Sequence, residues 1–242
     1  MKSLSSICII FTLISLSFSS YAAKKPKALI FTETKGYFHE NIPFAVETTK
    51  KMLEAKGFAV ETTRESDGFF TPKKLKEYKT LIFINTTGAI FSNEEKEAFI
   101  GYIKKGGGFV GVHGATDTEM NWEFYYKLVG GTFRSHPHQQ KAKINVTDKA
   151  HPATAMLPDV WENFDEWYDF NNFNGNVNVL AWLDETSYEG GGMGEKHPII
   201  WCHEYEGGRA FYTGIGHTED CFRSPVFLDH LYHAVKWTAK LK

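Results

Sequence analysis

Cysteine is scarce in this sequence: three residues in 242, Cys8, Cys202 and Cys221. Cys8 falls in a leader, so two thiols remain, too few for a disulfide framework. Whether those two pair depends on a Cα separation that a sequence does not hold. Cys202 sits in an apolar strand-like run and reads as a packing residue rather than a nucleophile. An excess of either charge is also missing. With 27 Lys and Arg against 29 Asp and Glu the formal charge is -2. Neutralising a phosphate backbone needs concentrated cations, so nucleic acid is excluded as a partner. Internal repeats, linkers and low-complexity stretches are absent too, and residues 23–242 read as one domain.

The first residues stand apart. Lys2 gives a positive start, Ile7 to Phe18 is apolar apart from small polar residues, and Ser20-Tyr21-Ala22 places small side chains where a signal peptidase reads. The run is short of the roughly 20 residues that span a bilayer. The expectation is a secretory signal over 1–22, cleaved near Ala22 or Ala23, and a secreted or periplasmic product with no membrane attachment. No cysteine follows the run at a lipid-attachment position.

What is present is a globular composition, 42% hydrophobic and 23% charged. The 20 Phe, 11 Tyr and 6 Trp suit a sugar-handling surface or an ordinary aromatic core. From Lys27 strand-like and helix-like segments alternate, as in a parallel sheet with helices on both faces. Strands are expected at Ala28 to Glu33, Phe58 to Thr62, Thr80 to Thr86 and Phe109 to Val112. Further strands are expected at Ala142 to Val146, Glu166 to Phe170, Val177 to Leu183, Pro198 to Glu204 and Arg209 to Ile215. The last two join through Gly207-Gly208 as a hairpin. Ile42 to Lys56 has helical spacing, and Thr71-Pro72 opens a short helix. Ser92-Asn93-Glu94-Glu95 is a capping box that starts a helix running to Lys105. A helix near Trp122 to Val129 and a terminal one from Ser224-Pro225 to Lys240 complete the set.

The stretch Gly108-Phe109-Val110-Gly111-Val112-His113-Gly114 delivers a histidine just past the carboxyl end of a buried strand, where open α/β sheets place reactive groups. His39 follows the first strand and His217 the last, so the topology gathers His39, His113 and His217 on one edge. His136 and His138, in Ser135-His136-Pro137-His138, lie in a loop able to reach them.

Gly111-Val112-His113-Gly114-Ala115 resembles the nucleophile elbow of class I glutamine amidotransferases, and Gly216-His217-Thr218-Glu219 resembles that superfamily's His-x-Glu pair. Together with His136-Pro137, His151-Pro152-Ala153, Asp165-Glu166-Trp167-Tyr168, His197-Pro198-Ile199-Ile200-Trp201-Cys202 and Gly208-Arg209-Ala210-Phe211-Tyr212-Thr213, these runs closely resemble the trehalose-utilisation, or ThuA-like, family. The match spans about Lys27 to Lys240. It implies a three-layer, doubly wound, flavodoxin-like α/β fold with a mostly parallel sheet and a C-terminal antiparallel hairpin, and a role in sugar utilisation. The chain departs from the amidotransferases at the decisive position. Amide hydrolysis there needs a thiolate, and this elbow carries His113, so glutaminase activity is excluded.

Imidazoles with a carboxylate suit a divalent transition metal, zinc first, with His39, His113, His136 and His217 as ligands. His113, His217, Glu166 and Glu219 are the candidate acid/base groups. Asp165 and Glu166 beside Trp167 and Tyr168 could handle a glycosidic oxygen against an aromatic platform, or form a half-buried strand. Trp122 either walls a pocket or packs its helix, and Arg134 either orients a polar substrate or pairs at the surface. His151 and His197 precede proline and suit turns or strand entry, while His230 and His233 suit packing or surface roles. Three functions fit. One is metal-assisted acid/base chemistry on a small carbohydrate, a disaccharide or its 3-keto derivative. The others are a carbohydrate-binding protein without chemistry and an assembly module of a secreted complex.

Overall fold

The computed structural model describes residues 24–241, so the leader expected at 1–22 lies outside the described residues. In chain order the elements are Lys27–Phe31 (β1), Ile42–Ala55 (α1), Ala59–Thr63 (β2), Pro72–Leu75 (α2), Thr80–Ile84 (β3), Asn93–Lys104 (α3), Gly108–Val112 (β4) and a 3₁₀ turn at His113–Asp117. Then come Glu123–Val129 (α4), Thr132–Ser135 (β5), Gln140–Val146 (β6), Val160–Asp165 (β7), Asp169–Asn171 (β8) and Asn178–Asp184 (β9). A 3₁₀ turn at Glu185–Ser187 precedes His197–Tyr205 (β10), Gly208–Thr213 (β11), Glu219–Arg223 (α5) and Pro225–Thr238 (α6).

Nine strands form one sheet in the order β2-β1-β3-β4-β11-β10-β9-β6-β7, and β5 pairs with β8 in a separate ribbon. The sheet is mixed. Strands β2, β1, β3, β4 and β11 are joined by parallel pairings, and β11, β10, β9, β6 and β7 by antiparallel ones. The expectation of a mostly parallel sheet is therefore corrected. Once β10 turns back from β11 without a crossover helix, every later neighbour pairs antiparallel. The expected strand Glu166 to Phe170 is also corrected: β7 ends at Asp165, β8 starts at Asp169, and Glu166-Trp167-Tyr168 crosses between the two sheets.

Alternate strand residues feed two cores, as the period of two requires. Ala28, Ile30, Ile82, Ile84, Val110 and Val112 pack with Leu53 of α1, Phe222 of α5 and Phe227, Leu231 and Val235 of α6. Leu29, Phe31, Leu81, Phe83 and Phe109 pack with Leu75 of α2, Phe99 and Ile103 of α3, and Tyr125 and Leu128 of α4. Phe83 is fully buried against Phe31, Phe70, Phe99 and Phe109, a burial that contributes about 2–3 kcal/mol.

Helix starts are fixed locally. Ser92 accepts from Glu95 N while the Glu95 carboxylate accepts from Ser92 N, and Ser224 accepts from Phe227 N one residue before Pro225. Cys202 and Cys221 are free and buried, and burial pushes the Cys202 thiol up to about 12. No helix among the described residues is long and apolar enough to cross a membrane.

Candidate metal centre

The segments that follow β1, β4, β7 and β11 meet at the centre. β4 passes directly into His113, which is fully buried and held at a φ of 44°. A left-handed backbone at a non-glycine residue costs about 1–3 kcal/mol and persists only where its surroundings enforce it. Here the enforcement is visible: His113 Nδ1 lies 3.0 Å from the Gly214 carbonyl. A carbonyl only accepts, so Nδ1 carries the proton and Nε2 is left with its lone pair.

Beyond β11, Gly216 has a φ of +135°, and a Cβ there would lie 2.6 Å from Val112 Cγ1. Its carbonyl accepts from Asn41 Nδ2 at 2.9 Å and from Asn85 Nδ2 at 3.1 Å. Asn85 itself, just past β3, accepts from Gly114 N through Oδ1 at 3.3 Å. The two asparagines thus tie the loops after β1, β3, β4 and β11 together.

Asp165 fixes the remaining loop. Fully buried, it accepts from Gly216 N at 2.7 Å and from His217 N and Glu166 N at 3.0 Å each, and from the Cys221 thiol at 3.1 Å. One carboxylate positions the backbones of both His217 and Glu166.

Those constraints bring four side chains together. His39, His113, Glu166 and His217 each offer a donor atom, all within 4.8 Å of one another. His113 Nε2 lies 3.2 Å from His217 Nδ1 and 3.4 Å from Glu166 Oε2, and His217 Nδ1 lies 3.1 Å from the same oxygen. Nitrogen and oxygen ligands about 2.1 Å from a tetrahedral ion sit about 3.4 Å apart, so this triangle has the edge lengths of a coordination shell. His39 is the outlying donor. Its Nδ1 is buried without any hydrogen-bond partner, an arrangement that costs stability unless something fills it.

Electrostatics agree with ligand duty. Burial, with repulsion from His113 and His217 added, lowers His39 to about 2, so its imidazole stays neutral. Burial pushes the Glu166 carboxyl up, but whenever His113 and His217 are protonated their hydrogen bonds and charge outweigh it and hold the group ionised, below the usual carboxylate range; a cation bound between the neutral rings would act in the same direction. Gln139 meets His217 Nε2 at 2.8 Å. A half-turn of that amide decides whether it donates to or accepts from the ring, and hence whether Nδ1 keeps a proton or frees a lone pair.

The other candidate residues divide. Tyr168 is buried, its ring centroid 4.0 Å from that of His113 and its hydroxyl 3.4 Å from His39 Nε2. His136 is a correction: it is exposed and outside the four-donor set, with Nδ1 2.8 Å from its own Pro137 carbonyl and 3.2 Å from Glu166 Oε1. Glu219 is another, because it opens α5 at the surface and pairs with Arg223 at 2.6 Å. Asp165 contacts backbone rather than offering a free carboxylate. Trp167 is fully buried, with Nε1 donating to Gln140 O at 2.9 Å, so it is core and not a sugar platform. Trp122 stacks on Phe124 and Tyr125 beneath Lys96. Arg134 pairs with the buried Asp169 at 3.0 Å.

His197 does more than enter a strand. Fully buried, its Nε2 donates to the Tyr168 carbonyl at 2.8 Å and its Nδ1 meets Glu185 Oε1 at 2.8 Å. Glu185 in turn accepts from Met193 N and Gly194 N, and Asp169 from Gly192 N. Asp169, Glu185 and His197 form a second donor cluster, but it is committed to latching the glycine-rich loop before β10. Sequence reading missed Asn41, Asn85, Gln139 and Glu185. Only Asn85 carried a signal, a polar residue ending an apolar strand run.

Comparison with known proteins follows the same line. The family model described as ThuA, trehalose utilisation, matches residues 27–238. The chain is similar to a crystallised ThuA-like protein from Bacteroides uniformis, with 28% identity, a TM-score of 0.74, and coverage of 91% of this chain and 95% of that one. A ThuA-like protein from Parabacteroides merdae gives 21% identity and a TM-score of 0.76, covering 89% of this chain and 90% of that one. The fold also resembles 31% of a β-galactosidase from Bacillus circulans sp. alkalophilus, at 13% identity over 90% of this chain with a TM-score of 0.59. No curated protein matches.

Proposed function

Since the chain belongs to the trehalose-utilisation (ThuA) family, we propose that it is an exported enzyme acting on a disaccharide or glycoside, or its 3-keto derivative, by metal-assisted acid/base chemistry. The observation that carries this reading is the convergence of His39, His113, His217 and Glu166 within 4.8 Å. Three imidazoles and one carboxylate suit a divalent ion, zinc first. When bound, such an ion would polarise a sugar carbonyl or acidify a water.

The protein's own groups supply the rest. His113 is oriented by the Gly214 carbonyl, and His217 by Gln139 and by Asp165 beneath its backbone. His136 presents Nδ1–H to the Pro137 carbonyl and Glu166 Oε1, which leaves a lone pair on Nε2 of an exposed side chain beside the centre. In this reading that lone pair takes the proton from C2 beside the 3-keto group, whose acidity the carbonyl raises; the electron pair forms the C1–C2 double bond as the glycosidic C1–O bond breaks, and the departing oxygen takes the proton back from His136, so no nucleophile is needed. Buried Tyr168, its phenol raised by burial, stays protonated next to His39. Export is proposed on Lys2, the run Ile7 to Phe18 and the small residues of Ser20-Tyr21-Ala22.

Turnover of trehalose and 3-keto-disaccharides by untagged protein, before and after chelation, tests the reading. Activity lost with the metal and restored by its return is expected. Sugar binding without turnover, unchanged in His113→Ala, would replace it with a carbohydrate-binding role.

A further inference from the structure

Tyr37 is the most solvent-exposed of the large apolar side chains among the described residues, at 62%. Exposed rings usually need no explanation, but this one stands at the rim of the centre. Its ring meets that of His39 edge-on, centroids 4.9 Å apart and planes at 88°. His39 is in turn 5.2 Å from His113 and 5.1 Å from His217. The backbone beneath is pinned: the Thr87 hydroxyl donates to the Tyr37 carbonyl at 2.8 Å. Gly36 packs so tightly on the Gly88 loop that a Cβ on Gly88 would lie 2.8 Å from Gly36 N. The pinned backbone therefore holds a largely exposed phenol ring 4.9 Å from the His39 ring. Phe38, next in sequence and 41% exposed, instead lies 5.6 Å from the Arg64 guanidinium.

We propose that Tyr37 is the platform on which the second ring of a two-ring sugar stacks while the first occupies the histidine centre. This rests on the carbohydrate reading of that centre. The apolar C–H face of a pyranose covers an aromatic face, and the tyrosine hydroxyl remains free for water or sugar hydroxyls.

The test is calorimetric binding of trehalose and of glucose to the wild type, Tyr37→Ala, Tyr37→Phe and Phe38→Ala, with the metal content of each protein measured alongside. Tyr37→Ala is expected to weaken trehalose about tenfold, to leave glucose within about twofold, and to keep the wild-type metal content. Tyr37→Phe and Phe38→Ala should bind as the wild type does. Equal binding of trehalose by the wild type and Tyr37→Ala, or no trehalose binding by the wild type, would overturn the proposal. Binding that depends on Tyr37 in a protein without turnover would sustain it while refuting the enzymatic reading.

Discussion

Replacing Asp165 with asparagine tests how the centre is held without touching any proposed ligand. The buried carboxylate accepts three backbone N–H groups and one thiol. Asparagine keeps one acceptor oxygen and turns the other into a donor. If the retained oxygen serves Glu166 N and His217 N, the new NH₂ faces Gly216 N and leaves that donor unsatisfied. A buried orphan costs about 1–3 kcal/mol, and a hydrogen bond to a charged acceptor contributes about 1.5–3 kcal/mol. The sum is about 2.5–6 kcal/mol of lost stability. At about 2–4 °C per kcal/mol for a domain of this size, that is about 5–24 °C in Tm. His217 and Glu166 lose the anchor that fixes their backbones, so metal affinity should fall about 10–100-fold, as when groups supporting a ligand are removed. Denaturant melts and competitive metal titration measure the two effects. Stability within about 0.5 kcal/mol of the wild type together with unchanged metal affinity would refute the reasoning.

Other expectations concern residues away from the ligands. His230 is fully buried, its Nδ1 donating to the Ala153 carbonyl at 2.7 Å, and burial lowers it from 6.5 to about 4. The unfolded chain therefore binds the proton more readily, and the stability associated with neutral His230, complete above pH 6.5, is lost as pH falls towards 4. The loss should reach about 3 kcal/mol and be absent from the pH–stability curve of His230→Gln. A parallel fall in both curves would show that His230 is not its source. Glu219→Ala removes a surface pair, so activity should be unchanged and stability should shift by less than about 1 kcal/mol; a large loss of turnover would return Glu219 to the site.

How far the sequence revealed this centre follows from what each signal measures. His39, His113 and His217 were legible because each follows a strand, and strand ends on one edge converge by topology alone. Tyr168 and Glu166 were found beside residues that proved different. In the run Asp165-Glu166-Trp167-Tyr168 alternate side chains turn to opposite sides, Trp167 into the core and Glu166 and Tyr168 to the histidines. The run was read as a strand because that alternation is also what a strand shows. Gln139, Asn41 and Asn85 stayed hidden because their partners are 78, 175 and 131 residues away, and no local period encodes such pairings. Glu219 misled through its place in a superfamily motif, although here α5 starts at that residue and carries it to the surface. The mixed sheet was missed because β6 pairs with β9, out of chain order, which joins the antiparallel β6–β7 pair to the main sheet.

The most direct measurement of the central claim is the metal-to-protein ratio of untagged protein equilibrated with micromolar zinc and freed of loose ions, for the wild type and His113→Ala. One ion per wild-type chain and almost none per folded variant chain is the result predicted. A metal-free wild type, or a variant that holds as much as the wild type, would contradict it.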